Sequence, residues 1–291
     1  MRTFPPTTGL RVGRHSAGQG GGRLAVAFTL IELLVVIGII GILAATAVPA
    51  IRSLTSSNTV VAGHRQILGD LAYARQLAIS TRQTVYFVLL PEFARSGIFS
   101  EVQNSSLIAP EEKRVALRSL TNLLSSQYTS YALFARRTVG DQPGAGFARY
   151  LMEWRNLPDG MLFSGTNFIG LAEVRARAVP TNRPLPLMNV PFPQVYARDP
   201  RGLDPRLPAL TVPYIAFGPN GRLVYESDDR AYGPEEFLSL ARGSIFYPRD
   251  SAGRLVPGRS LDLVLTPPGN REIVRINGLT GRARVEQVEV R

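Results

Sequence analysis

Residues 27–51 read AFTLIELLVVIGIIGILAATAVPAI. From Phe28 to Val48 every side chain is apolar or small except Thr29 and Glu32. As a helix, such a run reaches about 30 Å, the thickness of a bilayer core. A charge at the centre of a membrane helix costs roughly 3 kcal/mol on insertion scales, and less toward an end. Glu32 therefore asks for a compensating partner.

Residues 1–27 carry Arg2, Arg11, Arg14 and Arg23, no acid, and the glycine-rich run GQGGG. Basic excess marks the cytoplasmic side of a membrane segment. Three readings of the join compete. In the first, the segment is a secretory signal with Ala45-Thr46-Ala47 as its A-x-A cleavage site. The apolar run is long for that role, and Glu32 interrupts it. In the second, it is a plain single-span anchor, with Glu32 as an uncompensated cost. In the third, the chain is cut between Ala27 and Phe28. A new amine then appears about one helical turn from Glu32. A carboxylate in low dielectric is tolerable beside a cation. The amine of a neighbouring subunit meets that need, and the acid then sets axial register, as lone polar groups do in coiled coils.

The hexapeptide Phe28-Thr29-Leu30-Ile31-Glu32-Leu33 resembles the signature of type IV pilins and type II secretion pseudopilins. The resemblance implies that a prepilin peptidase cuts before Phe28 and that the new amino group of Phe28 is methylated. It makes Glu32 the fifth residue of the mature chain. Pro49 becomes the twenty-second, where the family's long helix kinks or loosens. The family carries glycine before the cut; Ala27 stands there in this chain.

Composition narrows the chemistry. The 291 residues suffice for a packed core, and 45% of them are hydrophobic. With no cysteine, disulfides and thiolate metal sites are excluded. Of two histidines, His15 falls in the leader, so a triad would rest on His64 alone, and a multi-histidine metal site is ruled out. The chain is read as a non-enzyme, with no catalytic residues, cofactor, metal or small-molecule substrate. Net charge is +11, and Lys113 is the one lysine. The arginines are spread along the chain. They fit a coding bias as well as phosphate contact.

Beyond Pro49, RSLTSSN (52–58) reads as a polar joint, with Ser57 or Asn58 capping a second helical segment. Val60, His64, Ile67, Leu71, Ala74 and Ala78 recur at three and four, one face of an amphipathic helix. His64 reads as a partly buried helix residue. Arg65, Gln66, Asp70, Arg75 and Gln76 make the polar face. Strands are expected at 84–90, 128–136, 148–155 and within LPDGMLF (157–163), and a helix at 111–124. The proline-rich stretch 179–213 reads as an extended loop or a partly ordered insertion. VPYIAFGPNGRLVYE (212–226) reads as a hairpin turning at Asn220-Gly221, with a short helix at 234–241 after it. LDLVLTPP and REIVRINGLTGRARVEQVEV supply the last strands, with a turn at 277–281.

The expected fold is α+β, a long hydrophobic amino-terminal helix packed on an antiparallel sheet domain. IAFGPNGRL, LDLVLTPP, IVRINGLTGRARV, ILGDLAYARQLAISTRQTVYFVL and LPDGMLF are together similar to the GspH/FimT class of minor pseudopilins and minor pilins. The resulting division is a leader at 1–27, a membrane and filament-core helix at 28–50, its amphipathic continuation at 51–82, and a periplasmic domain at 83–291. Residues 91–150 and 167–210 have no counterpart and read as insertions. The resemblance implies a minor subunit of a secretion pseudopilus or type IV pilus. Its expected partners are prepilin peptidase, other subunits through the helix, and the inner membrane before assembly. The alternative is a DNA-binding minor pilin. Gly281-Arg282-Ala283-Arg284 matches a motif that such members use in DNA uptake. Alternate strand residues share a face, so Arg282 and Arg284 would grip successive phosphates, with Arg275 or Arg271 extending the patch. Glu286 and Glu289 stand close enough in sequence to neutralise them. Glu226, Asp228 and Asp229 form an acidic cluster that suits either calcium or a solvated turn.

Overall fold

The computed structural model describes residues 29–93, 97–137, 148–168, 185–191, 209–224, 235–265 and 270–289. The chain divides into two units, Met1–Arg52 and Ser53–Arg291. The architecture is α+β with two antiparallel sheets.

Helix α1 runs Leu30–Thr81. Its helical backbone continues without interruption through Pro49 and residues 52–58, so the expected joint and cap at Ser57 or Asn58 do not form. Within the first unit the described side chains of α1, residues 30–45, are exposed. Within the second unit the expected face is realised: Val60, Ile67, Leu71, Ala74 and Ala78 are all buried.

The first sheet has the order β3-β2-β1-β6-β5, from β1 (Val85–Leu89), β2 (Ser130–Ala135), β3 (Arg149–Asn156), β5 (Leu187–Pro191) and β6 (Ala209–Phe217). Its strands β1 and β2 are buried at every position. Their alternation assigns each side chain to one of two cores. Val85, Phe87 and Leu89 join α1 in one cluster, with Tyr131, Leu133, Ile215 and Phe217. Tyr86, Val88 and Leu90 face the other way, with Ala132, Phe134 and Tyr214. That second face is covered by α2 (Ile98–Asn104) and α3 (Pro110–Leu124) through Ile98, Val102, Ala116, Leu120 and Leu123. Helices α2 and α3 thus have a physical role: they close the outer face of the sheet, which is why VYFVL needs no polar alternation.

The second sheet has the order β10-β9-β7-β4, with β8 also on β7. Its strands are β4 (Met161–Phe163), β7 (Glu235–Phe246), β8 (Asp262–Leu265), β9 (Asn270–Asn277) and β10 (Ala283–Glu289). Met161, Phe163, Leu238, Leu240, Val274 and Ile276 close the α1 core from this side.

A further expectation is corrected. The helix at 234–241 is strand β7. Glu236, Leu238 and Leu240 alternate inward, and pairing with β9 (Leu238↔Val274) and β4 (Leu240↔Phe163) outweighs local helical preference. Of the two readings of 179–213, the described residues fit a partly ordered stretch: β5 and the start of β6 lie inside it and pair from Leu187↔Pro213 to Pro191↔Ala209. The leader, including Ala27 and Phe28, lies outside the described residues, as do the acidic cluster at 226–229 and most of 167–210.

The expected hairpin at 212–226 turns through Gly218, whose N–H donates to Arg222 O at 2.8 Å, and closes through a single bridge, Phe217↔Leu223. This turn locks onto the one at 277–281. Leu223 N–H donates to Gly278 O at 3.0 Å. A Cβ at Gly281 would collide with the Gly221 carbonyl, and one at Gly221 would press on Ile79 Cδ1 at 2.8 Å. Arg75 Nε donates to Thr280 O at 2.6 Å, so α1 holds both turns. LPDGMLF docks higher on the same helix, with the Met161 thioether in the space a side chain at Gly63 would occupy.

Gly281→Ala therefore meets backbone in a left-handed conformation (φ +63°) and is expected to cost about 3 kcal/mol or more. Gly253→Ala has the same backbone sign (φ +77°) but open space, and is expected to cost about 1 kcal/mol. Urea-denaturation midpoints of the two variants check the difference.

Candidate functional site

Three groups of side chains carry chemistry. The first lies in the amino-terminal unit. Leu30, Ile31, Leu33, Leu34, Ile37, Ile40 and Leu43 are all more than half exposed, and they point in every direction around α1. Such a helix has no polar side to give to water. Glu32 stands in its first turn, exposed, with its N–H donating to Thr29 Oγ1 at 3.3 Å. A carboxylate there is favoured by the free N–H groups and the positive end of the helix dipole. The described side chains of the apolar run end at residue 45. Among the described residues no helix is long and apolar enough to cross a membrane.

The second group is the β9–β10 turn. Asn277 Oδ1 accepts from the N–H groups of Leu279 at 3.1 Å and Thr280 at 2.9 Å, which shapes the turn. Arg282 and Arg284 emerge from it, both exposed. Arg284 Nη2 donates to Glu286 Oε1 at 3.1 Å. Arg275, expected as an extension of the basic patch, is instead held between two acids. Its Nη1 donates to Glu286 Oε1 at 2.8 Å, and its Nη2 pairs with Glu235. The Glu235 carboxylate, then Glu286, raise the affinity of Arg275 for its proton. Reciprocally, Arg275 and then Arg284 hold the Glu286 carboxyl below the usual range. Two guanidiniums, Arg275 and Arg284, thus meet two carboxylates, with Arg282 lining the same cleft. The side chains of Arg271 and Glu289 lie outside the described set.

The third group joins α1 to the sheets. His64 Nε2 lies 2.6 Å from Glu272 Oε2, and Arg242 Nη2 donates to Glu272 Oε1 at 2.8 Å. His64 is thus a structural partner of a buried acid. Asp70 corrects the expected polar face: it is buried. It accepts from the Tyr131 hydroxyl and, at 3.0 Å on both oxygens, from Arg155 Nη1. Gln66 Nε2 donates to Tyr131 Oη at 2.8 Å and Asn156 O at 2.7 Å. Alternation could have found Glu272, since it shares the inward face of β9 with Val274 and Ile276. Asp70 borders the apolar stripe, and nothing local marks its partners, 61 and 85 residues away in the chain.

Burial keeps several phenols neutral. Desolvation pushes the Tyr128 and Tyr247 hydroxyls up to about 12. It pushes Tyr131 and Tyr150 higher, with Asp70 adding to the rise at Tyr131. Folded values above the unfolded value of about 10 mean that this stability is fully present below pH 10 and lost as pH rises through the folded values. The denaturation midpoint is expected to hold at about pH 8 and to fall steadily from about pH 10 upward, with tyrosinate absorbance appearing together with unfolding.

No family model, no curated protein and no solved structure matches this chain.

Proposed function

We propose that the chain is a minor subunit of a type II secretion pseudopilus or a type IV pilus, assembled after prepilin peptidase removes residues 1–27. The reading rests on one observation above all. Residues 30–45 of α1 expose apolar side chains on every side and carry a single acid, Glu32, in the first turn. Water is a poor solvent for such a surface. The sequence run from Phe28 to Val48 is long enough to rest in a bilayer before assembly, with the basic leader cytoplasmic and residues 83–291 on the periplasmic side. In the filament the same surface is buried against copies of itself. Dispersion among Leu33, Leu34, Val36, Ile37, Ile40 and Leu43 holds the core. Gly38 and Gly41, with open space where a side chain would stand, let neighbouring helices approach. Glu32 then takes the amine of the next subunit's Phe28, and the pair fixes the axial step. The task is assembly; no reaction is assigned to the chain.

The motifs shared with the GspH/FimT class support the same reading. LPDGMLF, FGPNG and GLTGR, far apart in sequence, converge on α1 at Gly63, Arg75 and Ile79. The DNA-binding alternative draws on Arg282 and Arg284. The carboxylates of Glu235 and Glu286 beside Arg275 and Arg284 favour a solvated, self-paired strand face there.

Glu32→Ala is expected to leave membrane insertion intact and to lower incorporation into filaments about tenfold or more, because an amine is left without its counter-charge in a water-poor core. Membrane fractionation and sheared-filament immunoblotting of the same cells check both halves. Normal incorporation of the variant would reject the register role.

A further inference from the structure

Strands β7 and β8 continue the second sheet as a two-stranded ribbon, from Gly243↔Leu265 to Phe246↔Asp262. The register fixes its place along α1. Strand β7 starts with Glu235 opposite Asn277, in the turn whose Thr280 carbonyl is held by Arg75. Further along, Arg242 stands opposite Met161, which docks at Gly63, and it shares Glu272 with His64. Strand β7 therefore runs antiparallel to α1. The ribbon continues past the level of His64, toward the end at which the helix enters this unit. Residues 49–52 alone separate that entry from the close of the apolar run at Val48, a span of at most about 18 Å.

The two faces of the ribbon differ. Ile245 and Leu263 lie opposite each other and pack on the core. On the other face Phe246 and Val264 are diagonal neighbours, both more than half exposed, and Leu265 at the end of the ribbon is exposed as well. Apolar side chains grouped in the open mark a contact surface. The connecting loop, 247–261, adds Arg249, Arg254 and Arg259, all exposed, against one acid, Asp250. Asp250 is taken by Arg254, whose Nε donates to Oδ2 at 2.9 Å. Asp262, opposite Phe246, is the remaining acid of the hairpin. Backbone bonds stiffen the loop: Asp250 N–H donates to Arg254 O at 2.8 Å and Val256 N–H to Pro248 O at 3.0 Å. Arg249 Nη1 donates to Gly253 O at 2.7 Å, which orients its guanidinium. The arginines are thus presented on a formed scaffold beside the apolar pair.

We propose that this hairpin rests on the headgroup layer of the bilayer that holds the apolar run, with Phe246 and Val264 in the interface and Arg249 and Arg259 on lipid phosphates. The inference rests on the membrane-anchored reading of residues 28–48. The choice of a lipid surface follows from the chemistry presented. Such a surface offers phosphate and hydrocarbon side by side, and the hairpin carries a partner for each. A guanidinium takes two phosphate oxygens at once, while its stem covers neighbouring apolar surface. A nucleic acid would supply the phosphates and leave Phe246 and Val264 in water. The short connection after Val48 keeps this end of the unit within reach of the membrane.

Spin labels on the full chain, reconstituted in phosphatidylethanolamine–phosphatidylglycerol vesicles, test it. The chain has no cysteine, so Val264→Cys, Leu279→Cys and Ile40→Cys each give a single labelling point. Relaxation by oxygen, which concentrates in hydrocarbon, and by a nickel chelate, which stays in water, reads the depth of each label. The Val264 label is expected to show an oxygen-to-nickel ratio at least about threefold above that of Leu279, exposed at the distant β9–β10 turn. Combining Phe246→Ser, Arg249→Gln and Arg259→Gln is expected to bring the Val264 label down to the Leu279 level and to leave the Ile40 label in hydrocarbon. A Val264 label as open to nickel as Leu279, or indifferent to the three substitutions, would overturn the proposal; with Ile40 in hydrocarbon the filament reading would stand. A Val264 label shielded from both reagents would overturn it in favour of a protein contact. An Ile40 label open to nickel would overturn the filament reading itself, and this inference with it.

Discussion

The second unit depends on the contact of two glycine turns with one helix. Gly221 and Gly281 approach so closely that neither has room for a side chain, and Arg75 and Ile79 of α1 close over the pair. The first turn ends β6 of one sheet, and the second joins β9 to β10 of the other. Both sheets therefore take their position from the same stretch of helix. Gly63 repeats the device against Met161. Between these contacts the Val60–Ala78 face fills the space with apolar atoms, and buried polar links fix the angle: His64 and Arg242 on Glu272, Tyr131 and Arg155 on Asp70. Such links are weak sources of net stability but strongly penalise wrong arrangements, because a displaced acid would be buried alone.

The parts of this fold legible in the sequence are those whose information is local. The Val60–Ala78 periodicity, the VYFVL run, the amphipathic 111–124 segment and the Asn277–Gly281 turn each declare themselves within a few residues. Strand β7 does not. Pro234-Glu235-Glu236 resembles a helix start, and the strand exists because β9 and β4 flank it. The role of residues 97–124 was equally hidden. Nothing in α2 or α3 says that they cover a sheet, although the unbroken apolarity of β1 and β2 implies that something must. The continuity of α1 across 52–58 shows a weak signal overruled: Ser57 and Asn58 favour caps, yet a helix already propagating extends at little cost.

The candidate sites divide the same way. Glu32 was visible because an acid in an apolar run is rare. Arg282 and Arg284 were visible as an alternating basic pair, but their acidic neighbours decide their character, and Glu235 comes from another strand.

The functional reading turns on what the apolar helix begins with. An acid in its first turn is a recognition element only when a free amine stands at the start of the same helix on a neighbouring copy. Intact mass spectrometry of the protein purified from its native membranes reads that end directly. A mature chain that lacks residues 1–27 and carries one added methyl on Phe28 is the predicted result. A chain that retains its leader, or that begins after Ala47, contradicts the account.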